Sequence, residues 1–159
     1  MSVSLEFGSD LAAPQDAVWR HASSMAGVNY ELGPWLRMSH PPRYAAIDDT
    51  LAAEALARPG VTVFRSWITL ARLLPLDRHA FGFERLLPGE GFDERSHSWL
   101  QRRWLHQRRV LPAGRGSRVV DRLQFEPRLG LMTPLLRLVV AGLFRHRHRR
   151  LRRLFGDAR

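Results

Sequence analysis

The chain contains no cysteine and no lysine. Without thiols there is no disulfide framework, no thiolate metal site and no cysteine nucleophile. A cytoplasmic location is the expectation. It also agrees with Met1 to Asp10, which lack the basic start and long apolar run of a signal peptide. Long apolar runs are missing elsewhere too. Leu129 to Phe144 is interrupted by Gly130, Pro134 and Arg137, and is short of the roughly twenty apolar residues a membrane span needs. There is no nucleophile elbow, phosphate loop, dinucleotide fingerprint or HExxH zinc motif. Gly89-Glu-Gly91 reads as a turn. His146 and His148 are two apart on a helix and point in different directions. No cofactor and no metal are therefore expected.

What is present suits one globular domain, taken here as residues 1–159. Hydrophobic residues make up 45% and charged residues 25%, enough for a core and against global disorder. All 25 basic residues are arginine, and the net charge is +10. The charge is unevenly placed. Residues 1–100 carry 9 arginines against 12 acidic residues, and residues 101–159 carry 16 against 3. The basic half could draw an anionic membrane surface. No aromatic platform or DNA-binding motif accompanies it, so nucleic acid is not an expected partner. The plainer reading is the solvated flank of a helix, with Arg145, Arg149, Arg152 and Arg153 outward.

Periodicity divides the chain. Val3 to Phe7 alternates as a strand. Pro14 starts a helix carrying Val18, Trp19, Ala22 and Met25 at helical spacing, broken at Gly27. A short helix over Asn29 to Leu32 ends at Gly33-Pro34, and Trp35 to Ser39 is extended. Asp48 to Ala57 reads as a short helix or a mobile stretch. The pattern is then β: Val61 to Leu74, a turn at Pro75 to Arg78, His79 to Leu87, a turn at Pro88 to Gly91, and Phe92 to Trp99. Short turns imply an antiparallel meander. The last element is a helix over about 129–155, with Leu131, Leu135, Val139, Leu143, Leu151 and Leu154 as its apolar stripe.

The most informative stretch is Arg103 to Phe125. It reads as a hairpin turning through Ala113-Gly114-Arg115-Gly116. If Pro112 faces Ser117, then Arg108 faces Asp121, His106 faces Leu123 and Trp104 faces Phe125. One register thus pairs aromatic with apolar and plus with minus on a single face. A buried charge is costly unless paired, so this face is a lined cavity or a core holding an internal ion pair.

The element order and several motifs resemble the START-like superfamily, also called SRPBCC or Bet v 1-like. The motifs are Pro14-Gln-Asp-Ala-Val-Trp19, the Gly-Phe-Asp-Glu run at 91–94 and Trp104-Leu-His-Gln-Arg108. Asp121-Arg-Leu-Gln-Phe-Glu-Pro127 and Phe144-Arg-His-Arg-His-Arg-Arg-Leu151 complete the set. The nearest likeness is to the bacterial subgroup also found appended to sugar-epimerase-like proteins. The resemblance implies an α+β helix-grip fold, in which a curved antiparallel sheet wraps a long C-terminal helix. Two short helices follow the first strand, and a ligand cavity lies between sheet and helix.

The expected function is binding of a hydrophobic or amphipathic small molecule, such as a lipid, polyketide or quinone. Trp104, His106, Arg108 and Asp121 would form the polar pole. Glu31 and Tyr30 would lie at the opening, and Met38, Trp67, Phe81, Leu136 and Phe144 would supply apolar wall. This reading calls for a cavity above about 300 Å³. Two alternatives stand beside it. One is a cyclase, dehydratase or hydrolase using His106 with Asp121 as acid and base. The other is a membrane- or partner-binding module acting through the arginine-rich C-terminus.

Overall fold

The computed structural model describes residues 2–158. The first strand, β1 (Val3–Leu11), leads into α1 (Gln15–Ala22) and α2 (Met25–Leu32). The break between these helices falls at Ser23-Ser24, where the Ser24 hydroxyl caps α2 by accepting from the Gly27 amide at 3.0 Å. Gly27 therefore lies inside a helix and does not end one. A Cβ there would stand 1.9 Å from the His21 carbonyl oxygen, so glycine permits the close approach of the two helices. Next come β2 (Leu36–Met38), a 3₁₀ turn at Pro42–Tyr44 and α3 (Asp49–Ala57).

Five further strands build the sheet: β3 (Thr62–Leu70), β4 (Leu74–Leu87), β5 (Gly91–Ser96), β6 (Gln101–Ala113) and β7 (Gly116–Pro127). The seven strands run in the order β1-β7-β6-β5-β4-β3-β2, all pairs antiparallel. The β6–β7 register is the expected one. Pro112 faces Ser117, Arg108 faces Asp121, His106 faces Leu123 and Trp104 faces Phe125. The β3–β4 turn is not where proline and aspartate suggested. It lies at Ala71 and Arg72, with φ of 49° and 63°. Pro75 sits opposite Thr69 beside a bulge, where a missing amide is tolerated. Asp77 turns inward and accepts from the amides of Arg78, Trp99 and Leu100.

The C-terminal helix, α4 (Thr133–Phe155), lies in the curve of the sheet. Its inward face is Thr133, Leu136, Val140, Ala141, Phe144, Arg147, His148 and Leu151. That differs from the apolar stripe expected from sequence. Only Leu151 of that stripe is fully buried, while Leu131, Leu135, Val139 and Leu154 face outward and Leu143 is partly covered. Among the described residues no helix is long and apolar enough to cross a membrane.

Three apolar clusters hold the layers together. One surrounds Met25, Leu32, Met38, Tyr44, Phe64, Phe83 and Phe92. A second joins Val3, Leu123, Phe125, Leu136, Val140 and Phe144. The third joins Leu11, Val18, Val110, Val119 and Leu151. Leu151 thus fastens the end of α4 to β1, β6, β7 and α1. Leu151→Ala should lower unfolding stability by about 2–5 kcal/mol, the range for emptying a buried leucine site. Leu154→Ala, on the exposed face, should change it by less than about 1 kcal/mol. Urea titration of both variants compares the two positions directly.

Candidate functional site

Two of the clusters are separated by a layer of charge. Along β7, Asp121 falls between Val119 and Leu123; along α4, Arg147 and His148 fall between Phe144 and Leu151. Alternation on the strand and the helical repeat bring these charged positions to the same level. Asp121 is fully buried and accepts four hydrogen bonds. Arg108 Nε and His106 Nε2 reach Oδ1 at 2.7 and 2.8 Å, and Arg108 Nη2 and His148 Nε2 reach Oδ2 at 2.7 and 3.0 Å. Arg108 uses its other edge on Glu31, with Nη1 and Nη2 each 2.9 Å from a carboxylate oxygen. Both pairs are bidentate, the geometry for which a guanidinium is suited. Arg147 Nε donates to Glu31 Oε2 at 2.8 Å. His21 Nε2 stands 3.3 Å from Glu31 Oε1 without hydrogen-bond alignment.

The layer continues in two directions. His148 Nδ1 meets the Ser9 hydroxyl at 2.8 Å, and Arg152 Nη1 donates to the same oxygen at 2.8 Å. The carboxylate of Asp121 can only accept, so His148 Nε2 carries the hydrogen of that bond. On the other side, His106 Nδ1 approaches Glu94 Oε2 at 3.3 Å. Glu94 Oε1 accepts from His79 Nε2 at 2.7 Å and from the Ser96 hydroxyl at 2.6 Å.

The three buried carboxylates each meet a cationic partner. Asp121, Glu31 and Glu94 face Arg108, Arg147 and His106, whose two ring nitrogens both point at carboxylates. An imidazole donates from both nitrogens only when protonated. Burial pushes His106 down, but the Asp121 charge and the bonds to Asp121 and Glu94 outweigh it and raise its pKa. Burial likewise pushes the carboxylates up. Arg108 and Arg147 hold Glu31 well below its usual range, His106 and His79 do so for Glu94, and Arg108 and His106 for Asp121.

Beside this layer lies an apolar cavity of about 210 Å³. It is smaller than the expected 300 Å³. Phe144, Leu136 and Val140 from α4 and Phe81, Phe83 and Phe92 from the sheet project into it. His106, Trp104, Met38, Phe81, Leu136 and Phe144 line it as expected. Arg108, Asp121 and Glu31 do not; all three are fully buried within the ion layer. Tyr30 is also outside, its carbonyl accepting from Arg150 Nε and its ring under that guanidinium at 4.1 Å. Trp67 is on the outer side of β3, against Trp99 and below Arg78. Alternation on β3 turns its neighbours Phe64 and Ser66 inward instead.

The cavity's polar lining includes residues that sequence reasoning passed over: His79, Glu94, Gln101, Arg147, Asp77 and Ser98. Glu94 stood in a quoted motif, but nothing local marks it as buried. Arg147 and His148 were hidden in a run of arginines and histidines. The signal was their spacing from Phe144 and Leu151, the two buried apolar residues flanking them. The Gln101 Oε1 atom is buried with no hydrogen-bond partner among the described residues.

Replacing Asp121 by Asn keeps the shape but leaves Arg108 and His106 without their shared charge. Removing one partner of a buried ion pair costs about 3–5 kcal/mol. Asp121→Asn should lose that much in urea titration. The pH profile follows from the same groups. The lowered carboxylates stabilise above their ordinary values of 3.8 and 4.5, and that stability is lost as pH falls toward their folded values. The raised His106 stabilises below 6.5, and its contribution is lost as pH rises through its folded value. Stability should peak between about pH 4.5 and 6.5 and fall on the alkaline side. In His106→Gln the alkaline decline should be shallower.

Solved structures share this architecture. Protein CV1439 from Chromobacterium violaceum superposes with a TM-score of 0.66 at 13% identity, covering 98% of each chain. A START superfamily protein from Mycobacterium smegmatis gives 0.59 at 10%, covering 96% of this chain and 98% of that one. Ara h 8.0201 gives 0.55 at 9%, covering 93% and 96%. The fold is therefore the START-like, Bet v 1-like helix grip. No curated protein matches the chain. Residues 9–155 match the family described as domain of unknown function DUF8410, and the chain belongs to that family.

Proposed function

We propose that the protein binds an uncharged amphipathic small molecule in the cavity between sheet and α4. The observation carrying this reading is Gln101. It lines the cavity, and its side-chain carbonyl oxygen is buried with no hydrogen-bond partner among the described residues. Buried acceptors in native proteins are nearly always paired, and a ligand N–H or O–H would supply the missing donor. Apolar wall with a few polar groups is the usual make-up of a small-molecule site. The fold shared with START-like and Bet v 1-like structures supports the same reading.

Charge selects the kind of ligand. Three buried carboxylates are already matched by two guanidiniums and His106, so a charged head group would find no free counter-ion there. A hydroxyl, ketone or secondary amine fits better than a carboxylate. A cavity of about 210 Å³ has room for a small ring system or one end of a longer lipid.

Turnover at His106 fits the geometry less well. The ring reaches the cavity, but both nitrogens are held by Glu94 and Asp121. A general base needs a free lone pair within reach of the substrate proton. Asp121 has four donors and no access to the cavity. Binding requires neither bond to break.

N-phenyl-1-naphthylamine is a suitable probe, being neutral, apolar and equipped with one N–H. Its fluorescence should rise and shift to the blue with the wild-type protein. Gln101→Leu should weaken binding by about two- to tenfold, the worth of one hydrogen bond. Val140→Phe should abolish binding by filling the space. Equal binding by Val140→Phe and wild type would place the probe elsewhere and remove support for this site.

A further inference from the structure

The apolar residues turned outward on α4 and on the turn before it do not stand alone. Leu131 is 94% exposed and Leu138 is 70% exposed. At the β3–β4 turn Leu73 is 86% exposed, and Trp35 beside it is 65% exposed. Backbone contacts place these segments at one end of the molecule. The Ala71 amide donates to the Trp35 carbonyl at 2.9 Å, and Leu36 faces Leu70 in the β2–β3 ladder. Trp67 stacks edge-on against Trp99 at 4.9 Å. The Arg128 amide donates to the Leu100 carbonyl at 3.0 Å, and Leu129 and Leu131 follow directly into α4.

Charge at this end has one sign. The segments 34–38, 67–78, 97–100 and 128–139 carry Arg37, Arg72, Arg78, Arg128 and Arg137. Their single acidic residue, Asp77, is buried and occupied by three backbone amides. Among the described residues none of the five arginines pairs with a carboxylate. On the outer face of the sheet the pattern is different, with Arg118 paired to Asp10, Arg122 to Glu6 and Arg95 to Glu84.

We propose that this end docks on an anionic lipid bilayer. Exposed leucine and tryptophan enter the head-group region, and arginines at their margin meet lipid phosphates. An apolar patch on this scale otherwise marks a contact with another macromolecule. A second copy of the chain is the weaker match, because a two-fold interface would set the same five unpaired arginines against each other. The surface is distinct from the arginine-rich C-terminus, where Arg147, Arg150 and Arg152 are engaged within the fold. It also adjoins the cavity, since Val139, Leu36 and Ile68 line that space and Val139 is itself exposed. The proposal does not rest on the ligand reading.

Co-sedimentation with vesicles tests it. The wild-type protein should pellet with phosphatidylcholine vesicles containing roughly one quarter phosphatidylglycerol, and not with phosphatidylcholine alone. Raising salt to about 0.5 M should weaken the association. The pair Leu73→Ser with Leu131→Ser, and the pair Arg72→Glu with Arg137→Glu, should each reduce it by about tenfold or more. The pair Arg149→Glu with Arg153→Glu should leave it unchanged. Circular dichroism melts confirm that these surface variants remain folded. Failure of the wild type to pellet with anionic vesicles overturns the proposal. So does loss confined to the Arg149 and Arg153 variant. A dimer in light scattering that dissociates in the Leu73 and Leu131 variant would assign the face to a second copy instead.

Discussion

Arg108 is the side chain on which the packing of the molecule turns. It starts from the middle of β6 and reaches two carboxylates on different elements, Asp121 on β7 and Glu31 on α2. Each of those carboxylates then holds a residue of α4, His148 on one side and Arg147 on the other. One guanidinium therefore relates the sheet, the second helix and the C-terminal helix to each other. A hydrophobic layer of equal volume could be as stable, since desolvating ions cancels much of their attraction. It would not be as selective. Apolar contacts tolerate a shifted helix, whereas a bidentate pair tolerates little displacement before a buried charge loses its partner.

The same layer sets the chemistry of the cavity. A carboxylate with four donors is a fixed point, and the imidazole between Asp121 and Glu94 is held at both nitrogens. Groups in this condition position their neighbours and polarise what approaches them, with no lone pair to spare for taking a proton. The polar atoms left for a ligand are then few, and Gln101 stands out because it belongs to no network. The space is modest because aromatic side chains from both layers converge on it. A longer ligand would extend toward Val139 and the exposed end of α4.

The hairpin was legible in the sequence because two independent signals agreed. Alternation in both arms and a glycine-rich turn select the same register, and a slip of one residue would put Asp121 and Arg108 on opposite faces. The helix grip was legible from the order of elements. Glu31 was assigned to the cavity opening from its apolar context, yet the residue that makes it structural is Arg108, 77 positions away. Nothing near Glu31 carries that information. The β3–β4 turn was missed for a related reason. Pro75 and Asp77 have turn chemistry, but tertiary contacts used Asp77 to bind the amides of Trp99 and Leu100. The turn was left to Ala71 and Arg72, which no local preference marks. Gly27 likewise reads as a breaker until the neighbouring helix is known to approach it.

The orientation of α4 shows most plainly how charge overrode hydrophobic pattern. Leu135, Leu138 and Val139 form one apolar set, and Leu136, Val140, Phe144 and Leu151 form another. Both faces carry apolar residues that would gain from burial. What distinguishes them is the company each keeps. Only the second set turns Arg147 and His148 toward Glu31 and Asp121. Rotating the helix to cover the first set would take Arg147 from Glu31 and His148 from Asp121, leaving buried carboxylate lone pairs without those donors. The ionic layer therefore decides which apolar face points inward. The other face is left at the surface by the requirements of the core, next to the arginines of the β2, β3–β4 and pre-α4 segments.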